Sequence, residues 1–181
     1  MDNAVLIVAE VVSAILCFVL LRFMIKPYRA TGENRYLGLP IGFAFLGMSY
    51  VFMGISLYFE ASLFVEELKW LQLFTQAYAF AFLAATYYFS KKPSKRTRLY
   101  WDITYTGLVL AAVLSCLVVF EPPMFGLPSY KTLDEYFRIF NILCLAYISI
   151  HTLRRHASRP NPKTIWIPLS YLCLVSVSTL H

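Results

Sequence analysis

The sequence predicts an all-α, polytopic integral membrane protein, and three observations carry that prediction. The 181 residues are 59% hydrophobic and only 14% charged, whereas a soluble domain is about 45–50% apolar and about 25% charged. The apolar residues gather into six long runs with short charged breaks between them, and the basic residues concentrate in alternate breaks. These features exclude a soluble enzyme, a disordered tail, a disulfide-stapled secreted domain and a nucleic-acid-binding module.

The six runs are each long enough to cross a bilayer, because a transmembrane helix needs about 20 apolar residues. Lipid offers no hydrogen-bond partners, so each run is predicted to be helical. The predicted spans are 5–25, 37–59, 69–90, 99–120, 136–153 and 164–181. The last run is still apolar at His181. We therefore expect one transmembrane domain over residues 1–181, with six helices that form either the whole bundle or the first six of seven.

The first run differs from a signal peptide. Its leading residues, Met1-Asp2-Asn3, are acidic where a signal peptide is basic, and Glu10 interrupts the apolar stretch. No small-residue cleavage site precedes Arg22. We interpret the run as a retained helix.

The basic residues predict the orientation. The breaks after the first, third and fifth runs, together with Arg22 near the end of the first run, carry 13 of the 16 Lys and Arg residues, and the other side carries most of the acids. The positive-inside rule places those three breaks in the cytoplasm and the N-terminus outside, in a multi-pass protein of the cell membrane. The same residues are expected to attract anionic lipid headgroups rather than nucleic acid.

The second and third runs are predicted to lie at the bundle centre because they are rich in small residues. Small side chains let membrane helices approach closely. The alternative is that glycine is simply common in membrane helices. The small residues are Gly38, Gly42, Gly47 and Gly54 in the second run and Ala77, Ala81 and Ala85 in the third.

A weak internal repeat links two span starts. Residues 35–40 and 163–168 each run from a basic residue to a proline five positions later, at an offset of 128 residues. Parallel repeats of this kind occur in small-solute transporters. The alternative is that proline starts two helices independently.

Five polar residues fall in the predicted outer halves of their helices, and we expect them to line a ligand-binding pocket. Polar groups inside a membrane are costly and mark functional sites. Glu10 and Arg138 are predicted to form a direct ion pair, the alternative being that both point to the headgroups. The five are Glu10, Gln72, Gln76, Arg138 and Asn141.

On the inner side, Asp102 is expected to pair with Arg98, with an ion relay as the alternative. His151 and His156 flank two arginines, and neighbouring cations disfavour both protonation and metal binding. No metal site is predicted.

Aromatic residues give two further expectations. Trp70, Trp101 and Trp166 fall at predicted helix ends, as interfacial aromatics do. Tyr78 lies deep in its span, so its hydroxyl needs a partner.

No enzyme motif is present: there is no HExxH, P-loop or GxGxxG, and we predict neither catalysis nor a cofactor. We expect a non-enzymatic membrane module that binds a small apolar or lipid-like ligand and signals to, or assembles with, a partner, including a second copy of itself. The alternatives are a small-solute transporter built on the parallel repeat and a structural subunit of a membrane complex.

Overall fold

The computed structural model describes residues 3–31, 37–59, 65–89, 95–120 and 130–158, and these form an all-helical bundle. The sixth predicted span, with the second half of the internal repeat, lies outside the described residues. The helices are α1 (Asn3–Thr31), α2 (Gly38–Tyr58), α3 (Val65–Tyr88), α4 (Lys95–Phe120) and α5 (Tyr130–Ser158).

Four of these helices are long and apolar enough to cross a membrane. The qualifying stretches are Ala4–Ala30, Gly38–Tyr58, Leu99–Val119 and Tyr130–Arg154. Six spans are therefore not confirmed. α3 coincides with the predicted third span, but it carries charged and amide side chains in its first half, which lowers its hydropathy.

The helices extend past the predicted ends of the apolar runs. α5 begins at Tyr130 rather than 136, and α4 begins at Lys95 rather than 99. Lys and Glu are good helix formers, so a helix continues through polar residues where hydropathy falls. At the start of α2, Pro40 lies in the first turn, where its missing N–H has no helical acceptor to lose.

Neighbouring helices along the chain run antiparallel. Gly54 and Gly47 of α2 lie against Glu10 and Cys17 of α1, respectively. Gly38 and Gly42 of α2 lie against Thr86 and Leu83 of α3, respectively. The order of contacts reverses along the partner in both pairs, as an up-and-down bundle requires.

Hydrogen bonds join α4 to α3 in the same antiparallel sense. The hydroxyls of Tyr78 and Ser115 lie 2.8 Å apart, and those of Thr86 and Tyr105 lie 2.9 Å apart. The partner predicted for Tyr78 is therefore confirmed.

α5 runs parallel to α3. Three ring pairs advance together along both helices: Trp70 with Tyr130, Phe74 with Phe137, and Tyr87 with His151. α3 packs against α2, α4 and α5, so the predicted central position of the third run is confirmed. α2 packs between α1 and α3.

The main core cluster joins four helices. Its buried members come from α1, α2, α3 and α5, and a second cluster on the other side of α3 holds α4 in place. The main cluster consists of Cys17, Leu46, Ala79, Phe80, Leu83, Leu145 and Ile148. The second contains Phe82, Trp101 and Tyr105.

Trp101 corrects one expectation. Its side chain is buried, within 5.3 Å of Phe89 and 4.3 Å of Tyr105 between ring centroids. Trp101 therefore packs in the α3–α4 contact and does not lie at the membrane–water interface. Its ring is on the side of α4 that faces the bundle, where it buries its apolar surface against neighbouring rings.

The outward faces of α1, α4 and α5 are apolar and exposed. Val8, Leu110 and Leu143 are typical, with Leu143 63% exposed. Continuous apolar surface on this scale marks contact with lipid or with another protein.

Candidate functional site: a polar layer beside the core

The main core cluster is followed by polar side chains on each of its four helices. Helical residues three, four or seven apart share a face. Starting from the core residues and moving toward the end where α1, α3 and α5 begin, the same faces carry polar groups. We call this set the polar layer: Glu10 on α1, Ser49 and Tyr50 on α2, Gln72 and Gln76 on α3, and Asn141 on α5.

Asn141 is the most enclosed member from α5. It lies four residues before Leu145 and seven before Ile148, on the face that packs against α3. The side chain is 6% exposed, and its Oδ1 atom is buried without a hydrogen-bond partner among the residues that the structure describes. A buried acceptor without a hydrogen bond lowers stability by about 1–3 kcal/mol. A hydrogen-bond donor that reached this oxygen would therefore bind favourably.

The surroundings of Asn141 are apolar and aromatic. One turn earlier on α5, Phe137 makes an edge-to-face contact with Phe74, with ring centroids 5.5 Å apart. One turn later, Leu145 is fully buried in the core. Asn141 is therefore a polar residue that lies between an aromatic pair on one side and the aliphatic core on the other.

Gln76 occupies the corresponding position on α3. It lies four residues before Phe80 and seven before Leu83, both members of the main core cluster. Gln72 is one turn further from the core on the same face. Both side chains are half-buried, and an amide presents donors as well as an acceptor.

Glu10 forms the edge of the layer on α1. It lies seven residues before Cys17, and its Cβ is 3.7 Å from the position that a Cβ on Gly54 would occupy. Its Oε2 atom is buried and has no hydrogen-bond partner in the described part of the chain. Tyr50, which belongs to the layer on α2, packs against the core.

Arg138 corrects the predicted ion pair. Its guanidinium donates to Asp134 on its own helix, at 3.0 Å, and the Arg138 side chain is 44% exposed. The pair with Glu10 is therefore wrong. A partner one turn away on the same helix needs no bundle contact, and such exposed pairs are the common arrangement of charged helical residues.

The structure describes the side chain of only one partner in the expected Asp102–Arg98 pair. Asp102 is exposed on α4, and the side chain of Arg98 lies outside the described residues. The proposed ion pair between them therefore stays a prediction.

Four of the five residues that sequence reasoning selected lie in the polar layer, Arg138 being the exception, and two residues of α2 add to them. Ser49 is 2% exposed and Tyr50 packs on the core. The signal for both was helical spacing, since they follow the core residue Leu46 by three and four positions. Sequence alone does not tell which residues of an all-apolar run face the core.

Comparison of the chain with protein-family models, with curated proteins and with solved structures finds no match. The polar layer and the helix faces that form it are therefore the basis for a function.

Proposed function

We propose that this protein is a non-enzymatic integral membrane module that binds a small apolar or lipid-like ligand within its bundle. Ligand binding would then signal to, or assemble with, a partner protein or a second copy. The observation that carries the proposal is the buried Oδ1 of Asn141, which bonds no group in the described part of the bundle.

The chemistry of the surroundings defines the ligand class. Asn141 is flanked by the apolar side chains of Phe74, Phe137 and Leu145. On α3, Gln76 lies at a similar height along the bundle. A ligand with an apolar body and one hydroxyl or amide donor matches such a site, since it buries carbon and satisfies the acceptor together. A long-chain alcohol is the simplest molecule of that class.

The bilayer setting follows from the same packing. α3 lies among α2, α4 and α5, three helices that are apolar and long enough to cross a membrane. In this proposal α3 crosses with them, and its polar residues are sheltered from lipid by its neighbours. The polar layer would lie in the outer half, with the basic breaks in the cytoplasm of the cell and against anionic headgroups.

A photolabelling experiment tests the ligand site. The full chain, reconstituted in phosphatidylcholine vesicles, is irradiated with a long-chain alcohol that carries a diazirine and an alkyne. We expect saturable labelling of α3 and α5 peptides around Phe74 and Asn141. Substituting Asn141→Leu removes the acceptor and should weaken apparent affinity about five- to tenfold, the value of one hydrogen bond of about 1–1.4 kcal/mol.

Thr152→Val is the matched control. Thr152 is a buried polar residue of the same helix, but its hydroxyl already bonds the carbonyl oxygens of Ile148 and Ser149. The control should label like the wild type. Labelling that is unsaturable, or equal in the Asn141→Leu protein, would refute the α3–α5 site.

A further inference from the structure

The α1–α2 contact places a carboxyl group inside a membrane helix, and neither α2 nor the adjacent turns of α1 supply an opposite charge. Glu10 lies within the candidate span Ala4–Ala30, two turns from Cys17 of the core. The Cβ of Glu10 is 3.7 Å from the position that a Cβ on Gly54 would occupy. At this point α2 therefore presents a glycine, with no side chain, to Glu10. The carboxyl therefore lies where the two helix backbones come close.

Within the described helices, the groups of α1 and α2 around Glu10 do not neutralise it. α2 contains no charged residue, and the first basic residue of α1 is Arg22, more than three turns away. The ionisable groups that share this contact are the Tyr50 hydroxyl of α2 and the Cys17 thiol of α1, both neutral donors at most. α3 carries Glu66, Glu67 and Lys69 near the same end of the bundle.

We propose that Glu10 is a proton-binding site, and that the bound proton keeps α1 docked on α2. A carboxylate out of water without a partner is costly, and such a group takes up a proton instead. The protonated acid is neutral and fits a contact in which Oε2 is buried. The inference is independent of the ligand site at Asn141, which lies on the α3–α5 contact.

Release of the proton has a structural consequence for α1. The helix packs chiefly on α2, so its position depends on that one contact. An ionised Glu10 gains by turning to water or headgroups, and this movement withdraws its side chain from the α1–α2 contact. Deprotonation therefore loosens α1, and the Gly47–Cys17 contact further along the same interface opens with it.

A hydrophobic carbodiimide tests proton binding. The reagent adds across a protonated carboxyl, and the resulting O-acylisourea rearranges to a stable N-acylurea with no leaving group. The full chain in vesicles is treated with dicyclohexylcarbodiimide at about pH 7, and modified peptides are quantified by mass spectrometry. We expect at least about tenfold more adduct at Glu10 than at Glu135, whose side chain is exposed on α5.

Three outcomes decide the first half of the proposal. Adduct at Glu10 that declines as the pH is raised supports it. Equal modification of Glu10 and Glu135, or no modification of Glu10 at any pH, overturns it. Protection of Glu10 by added Na⁺ at constant pH would also overturn it, since the site would then bind a metal cation.

A disulfide between α1 and α2 tests the docking half. The Cβ of Cys17 is 3.3 Å from an ideal Cβ on Gly47, and disulfides join Cβ atoms about 3.5–4.5 Å apart. The protein with Gly47→Cys, and with Cys116, Cys144 and Cys173 replaced by alanine, is oxidised at several pH values. The same protein with Glu10→Gln, which stays neutral, is the matched control for thiol chemistry.

The two disulfide yields should be equal at low pH. At high pH the disulfide yield of the protein with Glu10 should be at least about threefold lower than that of the Glu10→Gln protein, because glutamine has no proton to lose. Equal yields at every pH would overturn the link between the proton and helix docking, whatever the carbodiimide result.

Discussion

The hydroxyl groups of Thr86 and Tyr105 lie 2.9 Å apart, directly against Gly38. The bond joins α3 to α4, and the glycine that faces it belongs to α2. A Cβ at position 38 would overlap both hydroxyl oxygens. Three helices therefore meet at one place where no side chain larger than hydrogen fits.

Gly38→Ala should destabilise the protein by about 1–3 kcal/mol, the usual result of overfilling a packed contact. The added methyl group must displace either Thr86 or Tyr105 and break their hydrogen bond. Thermal unfolding in detergent measures the loss. Gly107→Ala is the control, because nothing lies within 4 Å of a Cβ there; equal unfolding temperatures for the two variants would contradict the three-helix contact.

Gly42→Leu should be more damaging than Gly107→Leu. An ideal Cβ on Gly42 is 2.8 Å from Cγ of Leu83 and 3.3 Å from the Ala79 carbonyl oxygen. Leucine would force α2 and α3 apart and lose dispersion contacts along the core. The same unfolding assay compares the pair, and a reversed order would mean that α2 is peripheral.

Arg138→Gln should cost only about 0–1 kcal/mol, as for other exposed ion pairs. Its partner Asp134 is on the same helix, and both side chains are partly open to the surroundings. Combined with Glu10→Gln, the effect should be additive within about 0.5 kcal/mol. A double-mutant cycle in detergent measures this, and a coupling near 3 kcal/mol would restore the buried Glu10–Arg138 pair.

The orientation of the bundle has its own test. The positive-inside rule predicts that a cysteine at Ser94 is shielded from an impermeant thiol reagent in intact cells, and that one at Ser129 reacts. Both substitutions are made after Cys17, Cys116, Cys144 and Cys173 have been replaced by alanine. Reaction at position 94 with protection at 129 would invert the orientation.

Sequence reasoning succeeded for features that depend on the sequence of a single helix. Apolar runs located all five described helices, and small residues such as Gly42 identified the close α2–α3 contact. Helical spacing also brought Gln76 and Asn141 to core-facing positions.

It failed where the outcome depends on which helix is the neighbour. Glu10 and Arg138 have comparable predicted depths, but depth does not give the direction in which a side chain points around the bundle axis. α1 packs chiefly on α2, and Arg138 meets Asp134 one turn away. Trp101 was misplaced for the same reason, because a helix end can face either the headgroups or a neighbouring helix.

The central claim is that the Asn141 side chain receives a hydrogen bond from a ligand with an apolar body. The chain has four asparagines, so replacing Asn3, Asn34 and Asn161 by glutamine leaves Asn141 as the one asparagine for residue-specific carbon-13 labelling. Solid-state NMR of this protein in vesicles then reports the Asn141 carbonyl directly. Dodecanol should shift the signal saturably, whereas dodecane, which lacks a hydroxyl, should not. No shift, or the same shift with both, would contradict the account.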